Sequence, residues 1–262
     1  MLSFHELTRG LRQLGIEPNC PVIAHASLSA FEQVSGGAET LLGALLTCFT
    51  SVIMPTFTYK TMITPESGPP NNGIRYGSER DQNRMAEFYT PNMPADPSMG
   101  VIAETLRQHP NASRSMHPIL SFSGVNAGTA LQAQTLSQPL QPIHVLAGLG
   151  GWVLLLGVDH TSNTSIHYGE RVAGRKQFIR WALTPNGIIE CPGWPGCSDG
   201  FQAIAPHLEA VRRTAQAGSG LIQAFPLVEV VEAVIQAIAD DSHALLCNRP
   251  NCGRCNSVRG RQ

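Results

Sequence analysis

The sequence predicts an α/β fold: a mixed, mostly parallel sheet flanked by helices, with a small additional lobe. Three observations predict it. The first sixty residues read as a helix, a strand, a loop, a second helix and a second strand, an order that lays the two strands parallel. "GWVLLLGVD" (151–159) is apolar almost throughout, as a central strand buried on both faces must be. "PLVEVVEAVIQAIAD" (226–240) carries an amphipathic helical pattern suited to covering a sheet. The chain is expected to form a single domain, 1–262, to which 60–99 and 175–262 contribute the lobe.

In order, Phe4, Leu7, Leu11 and Leu14 recur at helical intervals among charged residues. "PVIAHASL" (21–28) is a short apolar run ending in small polar residues, a strand followed by a turn. "GGAETLLGALLTCF" (36–49) spaces four leucines for a helix, and "SVIMPTFTY" (51–59) is the next strand. Residues 60–99, rich in Pro, Gly, Asn and Ser, form a long loop of the kind that usually serves function. "MGVIAETLRQHP" (99–110) is a helix stopped by proline, with Val101, Ile102, Thr105 and Leu106 on one side. "NTSIHYGERVAG" (163–174) is helical, with Asn163 or Thr164 able to cap it. "KQFIRWALTPNGIIECPGW" (176–194) is a hairpin around Pro-Asn-Gly. "DGFQAIAPHLEAVRRTA" (199–215) reads as an amphipathic helix, and Pro226 suits the first turn of the last one.

Only 14% of the residues are charged and the net charge is −1, so no basic field exists to bind nucleic acid or an anionic membrane. The N-terminal helix lacks the apolar core of a signal peptide, and no apolar stretch approaches a bilayer span, so a cytoplasmic location is expected.

His167 and Glu170, three apart at the start of a predicted helix, lie on one face and can meet. A carboxylate on one imidazole nitrogen fixes the tautomer and raises the basicity of the other, which makes a general base. The same spacing also fits a capping histidine beside a surface glutamate. His25, Ser27 and Ser29 stand where a strand ends, and Gly36-Gly37 open the following helix, whose free amides are suited to phosphate oxygens; a structural turn is the plain alternative. "RSMHP" (114–118) brings Arg114, Ser115 and His117 together, either as a clamp on phosphate or carboxylate or as a solvated loop. Seven scattered cysteines fit reduced thiols better than a disulfide framework. Cys191, Cys197, Cys247, Cys252 and Cys255 cluster in "CPGWPGC" and "CNRPNCGRC". Cys252-x-x-Cys255 suits a structural zinc knuckle, but the wider intervals fit standard templates poorly and free thiols are the default. No metal is expected at the reacting site.

Three blocks, "HASLSAFEQVSGGAETLLGAL", "MGVIAETLRQHPNASRSMHPILSFSGVNAG" and "LLLGVDHTSNTSIHYGE", resemble in order the signature segments of the antibiotic N-acetyltransferases. These enzymes acetylate the 3-amino group of aminoglycosides with acetyl-coenzyme A and differ in fold from the GNAT enzymes. The resemblance implies acetyl-coenzyme A as cosubstrate, a cationic amine as acceptor and a role in antibiotic resistance. It implies that His167 is the catalytic histidine and Glu170 its orienting carboxylate. It implies too that His25, Ser27, Leu28 and Ser29 line the acetyl-coenzyme A cleft, and that Ser115, beside Arg114, lies near the pantetheine arm. A polycationic drug calls for carboxylates, for which Glu66, Glu79, Asp81, Glu87, Asp96 and Asp159 are candidates. Acetylation of a non-antibiotic amine, or a zinc-containing scaffold without turnover, are the alternatives.

Overall fold

The structure is a computed structural model that describes residues 1–77 and 83–260. Two helices and two strands come first: α1 (Phe4–Gln13), β1 (Val22–Ala26), α2 (Gly37–Cys48) and β2 (Val52–Pro55). β3 (Met62–Ile63), α3 (Val101–Gln108), β4 (Ala112–Arg114), β5 (Phe122–Val125), α4 (Gly128–Gln132), α5 (Gln141–Gly148) and β6 (Trp152–Leu156) follow. The remainder comprises α6 (Thr164–Val172), β7 (Phe178–Thr184), β8 (Gly187–Trp194), α7 (Ala205–Leu208), β9 (Arg213–Ala217), β10 (Gly220–Pro226), α8 (Leu227–Asp240) and α9 (Gly253–Val258).

The main sheet has the order β4-β5-β2-β1-β6-β10-β9. It is mixed, as expected, but parallel pairing is confined to the central trio β2, β1 and β6, while β5, β4, β10 and β9 join antiparallel on either side. β6 is central, between β1 and β10. Its side chains divide by the two-residue period of a strand. Val153 and Leu155 enter one core with Ile23, Phe225, Ile166 and Val230; Leu154 and Leu156 enter the other with Val22, Leu7, Leu45 and Leu106. Helices α5, α6 and α8 therefore cover one face and α1, α2 and α3 the opposite one. Each fully buried leucine of β6 contributes about 2 kcal/mol relative to exposure.

Several elements differ from expectation. In α3 the buried residues are Ile102, Ala103 and Leu106, whereas Val101 is exposed. Residues 199–215 do not form one helix. Phe201, Ile204 and Leu208 are buried at helical intervals, but in short turns broken around Pro206, and the chain then extends as β9. In β9, Ala215 and Ala217 are buried and Thr214 and Gln216 exposed, the alternation of a strand that supplies β10 with its second partner. A second, three-stranded sheet, β3-β7-β8, holds the hairpin around Pro185 and Asn186. Of the 175–262 stretch expected in the lobe, 213–240 belongs to the main sheet and its covering helix. Among the described residues no helix is long and apolar enough to cross a membrane.

Candidate active site

A cleft of about 930 Å³ opens at the carboxyl ends of the three parallel strands, where open α/β sheets bind ligands. Its walls are the end of β1 with the turn 27–29, the chain leaving β2, the starts of α2 and α3, the loop after β6, His167 and the segment 194–198.

Strand alternation carries His25 to the face shared with Ile23, the face that α6 covers. Burial alone pushes the imidazole down to about 3, and its Nε2 has no hydrogen-bond partner, so His25 is neutral at the floor of the cleft. Beyond it Ser27 Oγ lies 3.0 Å from Ser29 Oγ, and Leu28–Ala30 forms a single 3₁₀ turn. Neither this turn nor α2 has a side-chain cap; at the start of α2 the Gly37 amide donates to Val34 O at 3.0 Å, while Gly37 itself lines the cleft. Gly157 makes the arrangement possible. With φ +67° it lies at the end of β6, and a Cβ there would fall 2.3 Å from Ala30 Cβ.

Asn163 caps α6, its side chain accepting from Ser165 N at 3.1 Å. One turn on, His167 packs edge-on against Phe201, with ring centroids 4.6 Å apart. Its Nδ1 lies 2.9 Å from Glu170 Oε2, and the ring lines the cleft, which leaves Nε2 as the nitrogen for chemistry there. Glu170 is 1% exposed. Its second oxygen accepts from Arg175 Nη1 at 2.8 Å, and the same guanidinium donates to the carbonyls of Ser242 and Ala244. The carboxylate is thus fixed from both sides, and a buried negative charge is matched by a buried positive one.

The structure brings His25, Ser27, Leu28, Ser29 and His167 into one cleft, with Glu170 directly behind. Arg114 and Ser115 do not line it. Arg114 donates to the carbonyls of Thr56, Pro91 and Met93 and to Ser121 Oγ, a clamp on its own chain rather than on a ligand. Ser115 is buried and exchanges bonds with the backbone of Phe122 at the β5 edge. His117 Nδ1 accepts from the amides of Ile119 and Leu120, and burial lowers it to about 4.

Among the candidate carboxylates, Glu87 pairs with Lys60, Asp159 caps Thr161, and Asp96 caps Ser98. Glu66 has a partner of its own, and Glu79 and Asp81 lie outside the described residues. Asp96 lines a second cavity of about 810 Å³ that shares Tyr59, Trp194 and Arg254 with the cleft. Lys60, paired with Glu87, and Arg180 line it too, so among the described lining residues cationic groups outnumber the one carboxylate; burial lowers Arg180 to about 10. The only carboxylate among the described residues of the cleft wall itself is Glu32.

Arg175, Trp194 and Arg254 belong to no functional motif of the sequence. Arg175 lies five residues after Glu170, off the helical spacing that marks the His–Glu pair. Trp194 ends β8 and meets Tyr59, with ring centroids 5.8 Å apart. The cysteines separate as well. Cys191 is buried in β8, its thiol pushed up to about 12 by that burial, while Cys197, Cys247, Cys252 and Cys255 converge.

The model of the aminoglycoside 3-N-acetyltransferase family matches residues 23–239. The aminoglycoside N(3)-acetyltransferase III of Serratia marcescens is 30% identical over 229 residues, covering 78% of this chain and 84% of that one. In fold, the aminoglycoside acetyltransferase AAC(3)-IVa superposes with a TM-score of 0.80 at 21% identity, over 99% of this chain and 97% of its own. AAC-IIIb, solved as a binary complex with CoASH, gives 0.73 at 20% identity over 91% and 96%.

Proposed function

The chain belongs to the aminoglycoside 3-N-acetyltransferase family, and from that premise we propose that it transfers the acetyl group of acetyl-coenzyme A directly to the 3-amino group of an aminoglycoside, conferring resistance. The observation that carries this reading is the His167–Glu170 pair, 2.9 Å apart and presented to the cleft.

A protonated amine cannot attack a thioester, so its proton must go first. His167 accepts it at Nε2, and Glu170, bonded to Nδ1, holds the productive tautomer and stabilises the imidazolium that forms. Arg175 keeps Glu170 in place. The amides of Leu28 and Ser29, and those of the first turn of α2 beyond Gly37, are donors suited to the thioester oxygen and the pyrophosphate. The amine nitrogen then forms its bond to the acetyl carbon, the carbon–sulfur bond breaks, and the remaining excess proton on nitrogen passes to the departing thiolate, giving the amide and the coenzyme A thiol with His167 left as imidazolium to release its proton to solvent. His25, neutral and buried, shapes the floor without carrying charge.

The test is thiol release from acetyl-coenzyme A with gentamicin, apramycin, neomycin and kanamycin. Drug-dependent turnover is expected, and His167→Ala should lower kcat by about 10²–10⁴-fold. Undiminished turnover in that variant would assign the base elsewhere. Among the described residues lining the adjoining cavity, Arg180 and Arg254 face the single carboxylate Asp96, Lys60 being paired with Glu87, and this favours a second reading, acetylation of a less cationic, non-antibiotic amine. Turnover with such amines and none with the four drugs would decide for it.

A further inference from the structure

The chain leaving β8 and the chain beyond α8 meet at a corner held by sulfur. The Sγ atoms of Cys197, Cys247, Cys252 and Cys255 all lie within 4.8 Å of one another, and none is in a disulfide. Four thiolates around a tetrahedral zinc, with Zn–S near 2.3 Å, stand about 3.8 Å apart. The side chains need only close slightly to reach that geometry. Three of the four are buried and the fourth is half-buried, so the shell has no open position for water or substrate, which is the mark of a structural site. The spacing is also too tight for an iron–sulfur cluster, whose thiolates must stand apart around a cage of irons and sulfides.

The surroundings fit a bound cation better than a set of packed thiols. The sulfur atoms form an isolated small cluster, with Leu246 as the one aliphatic side chain packed on it, and so supply little apolar burial to hold residues 247–258 in place. Cys252 is the N-cap of α9 and Cys255 lies one turn inside it, the knuckle expected of a Cys-x-x-Cys ligand pair. The knuckle fits closely: Gly253 approaches so near that a Cβ would meet Gly73 O at 2.8 Å. Four thiolates and one zinc leave a net charge of about −2. Arg249 offers an N–H to Cys197 Sγ at 3.6 Å, and Arg259 donates to the carbonyl of Cys247 at 2.6 Å.

We propose that Cys197, Cys247, Cys252 and Cys255 bind one structural zinc ion that ties the segment after α8 to the cleft wall. The wall is adjacent: Gly196 precedes Cys197, faces Glu170 and accepts from Arg254 Nη1 at 2.8 Å, and both residues line the cleft.

The test is metal analysis of the full chain, purified without added chelator from zinc-supplemented medium. One zinc per chain is expected, released when an organomercurial reagent titrates the thiols. Reconstitution of stripped protein with Co²⁺ should give the thiolate-to-cobalt charge-transfer and tetrahedral d–d bands. Cys255→Ser and Cys197→Ser should lose the metal, whereas Cys20→Ser, outside the cluster, should keep it. The spectrum of the wild-type chain keeps the test decisive if the serine variants do not fold. A wild-type chain without zinc and without cobalt bands, two disulfides in its place, or zinc retained by Cys197→Ser and Cys255→Ser would overturn the proposal.

Discussion

Replacing Glu170 by glutamine tests the chemistry at the pair without changing its volume. In the native site one carboxylate oxygen faces His167 Nδ1 and the other accepts from Arg175 Nη1 at 2.8 Å. Glutamine has one acceptor and one donor end for these two partners. Arg175 is always charged and offers only donors, so the amide oxygen turns toward it and the NH₂ faces Nδ1. Nδ1 must then accept, which moves the ring proton to Nε2, the nitrogen needed as base. Restoring the active tautomer opposes two donors, at a cost of about 1–3 kcal/mol, and the imidazolium loses a charge-assisted partner, about 1–1.5 kcal/mol more. The sum, about 3 kcal/mol, predicts a fall in kcat of about 10²-fold, since 1.36 kcal/mol is tenfold in rate. Steady-state thiol release at saturating acetyl-coenzyme A measures it. The double variant His167→Ala/Glu170→Gln should be no slower than His167→Ala alone, because the two residues act as one unit. Wild-type kcat in Glu170→Gln, or full additivity in the double variant, would refute the tautomer argument.

Two other outcomes follow from groups away from that pair. Arg114→Met should destabilise the fold by about 1–3 kcal/mol in urea denaturation, because it strands the buried carbonyl of Met93, while Thr56 O keeps Ser121 Oγ as a donor and Pro91 O is open to water, and the KM for acetyl-coenzyme A in the surviving folded protein should stay within about twofold; a KM raised tenfold or more at unchanged stability would return Arg114 to cofactor binding. Burial holds His25 at about 3 and His117 and His160 at about 4, so in the folded chain they stay neutral where the unfolded chain takes up protons, near 6.5. Their contribution is therefore present above about pH 6.5 and is lost as the pH falls toward 4, by up to about 1.4 kcal/mol per pH unit for each histidine. Denaturation midpoints across that window read it directly, and a flat profile would contradict the burial of these rings.

What the sequence disclosed was local. His167 and Glu170 are one helical turn apart, so their meeting follows from the helix alone, and the apolar run 151–159 needs two buried faces wherever it sits. Arg114 marks the limit: an arginine beside a serine looks the same whether its acceptors belong to a ligand or to three distant carbonyls, and only the packing of residues 56 and 91–93 decides. β4 and β5 leave little trace in the sequence because "ASR" and "FSGV" are short and rich in small residues, and β9 because "RTAQA" alternates weakly after a stretch of helical spacing. Among the cysteines, Cys252-x-x-Cys255 was visible, but Cys197 joins it only through tertiary structure.

The guanidinium of Arg175, just beyond the end of α6, reaches to the carbonyls of Ser242 and Ala244, residues made long after the histidine it helps to position. During synthesis the sheet, α6 and both members of the base pair exist before the anchor does. The nascent chain therefore carries an unfinished site, one whose buried carboxylate lacks its fully seated counter-charge until the segment beyond α8 has emerged and folded back. The base pair is fully braced only once the segment beyond α8 has folded back onto it.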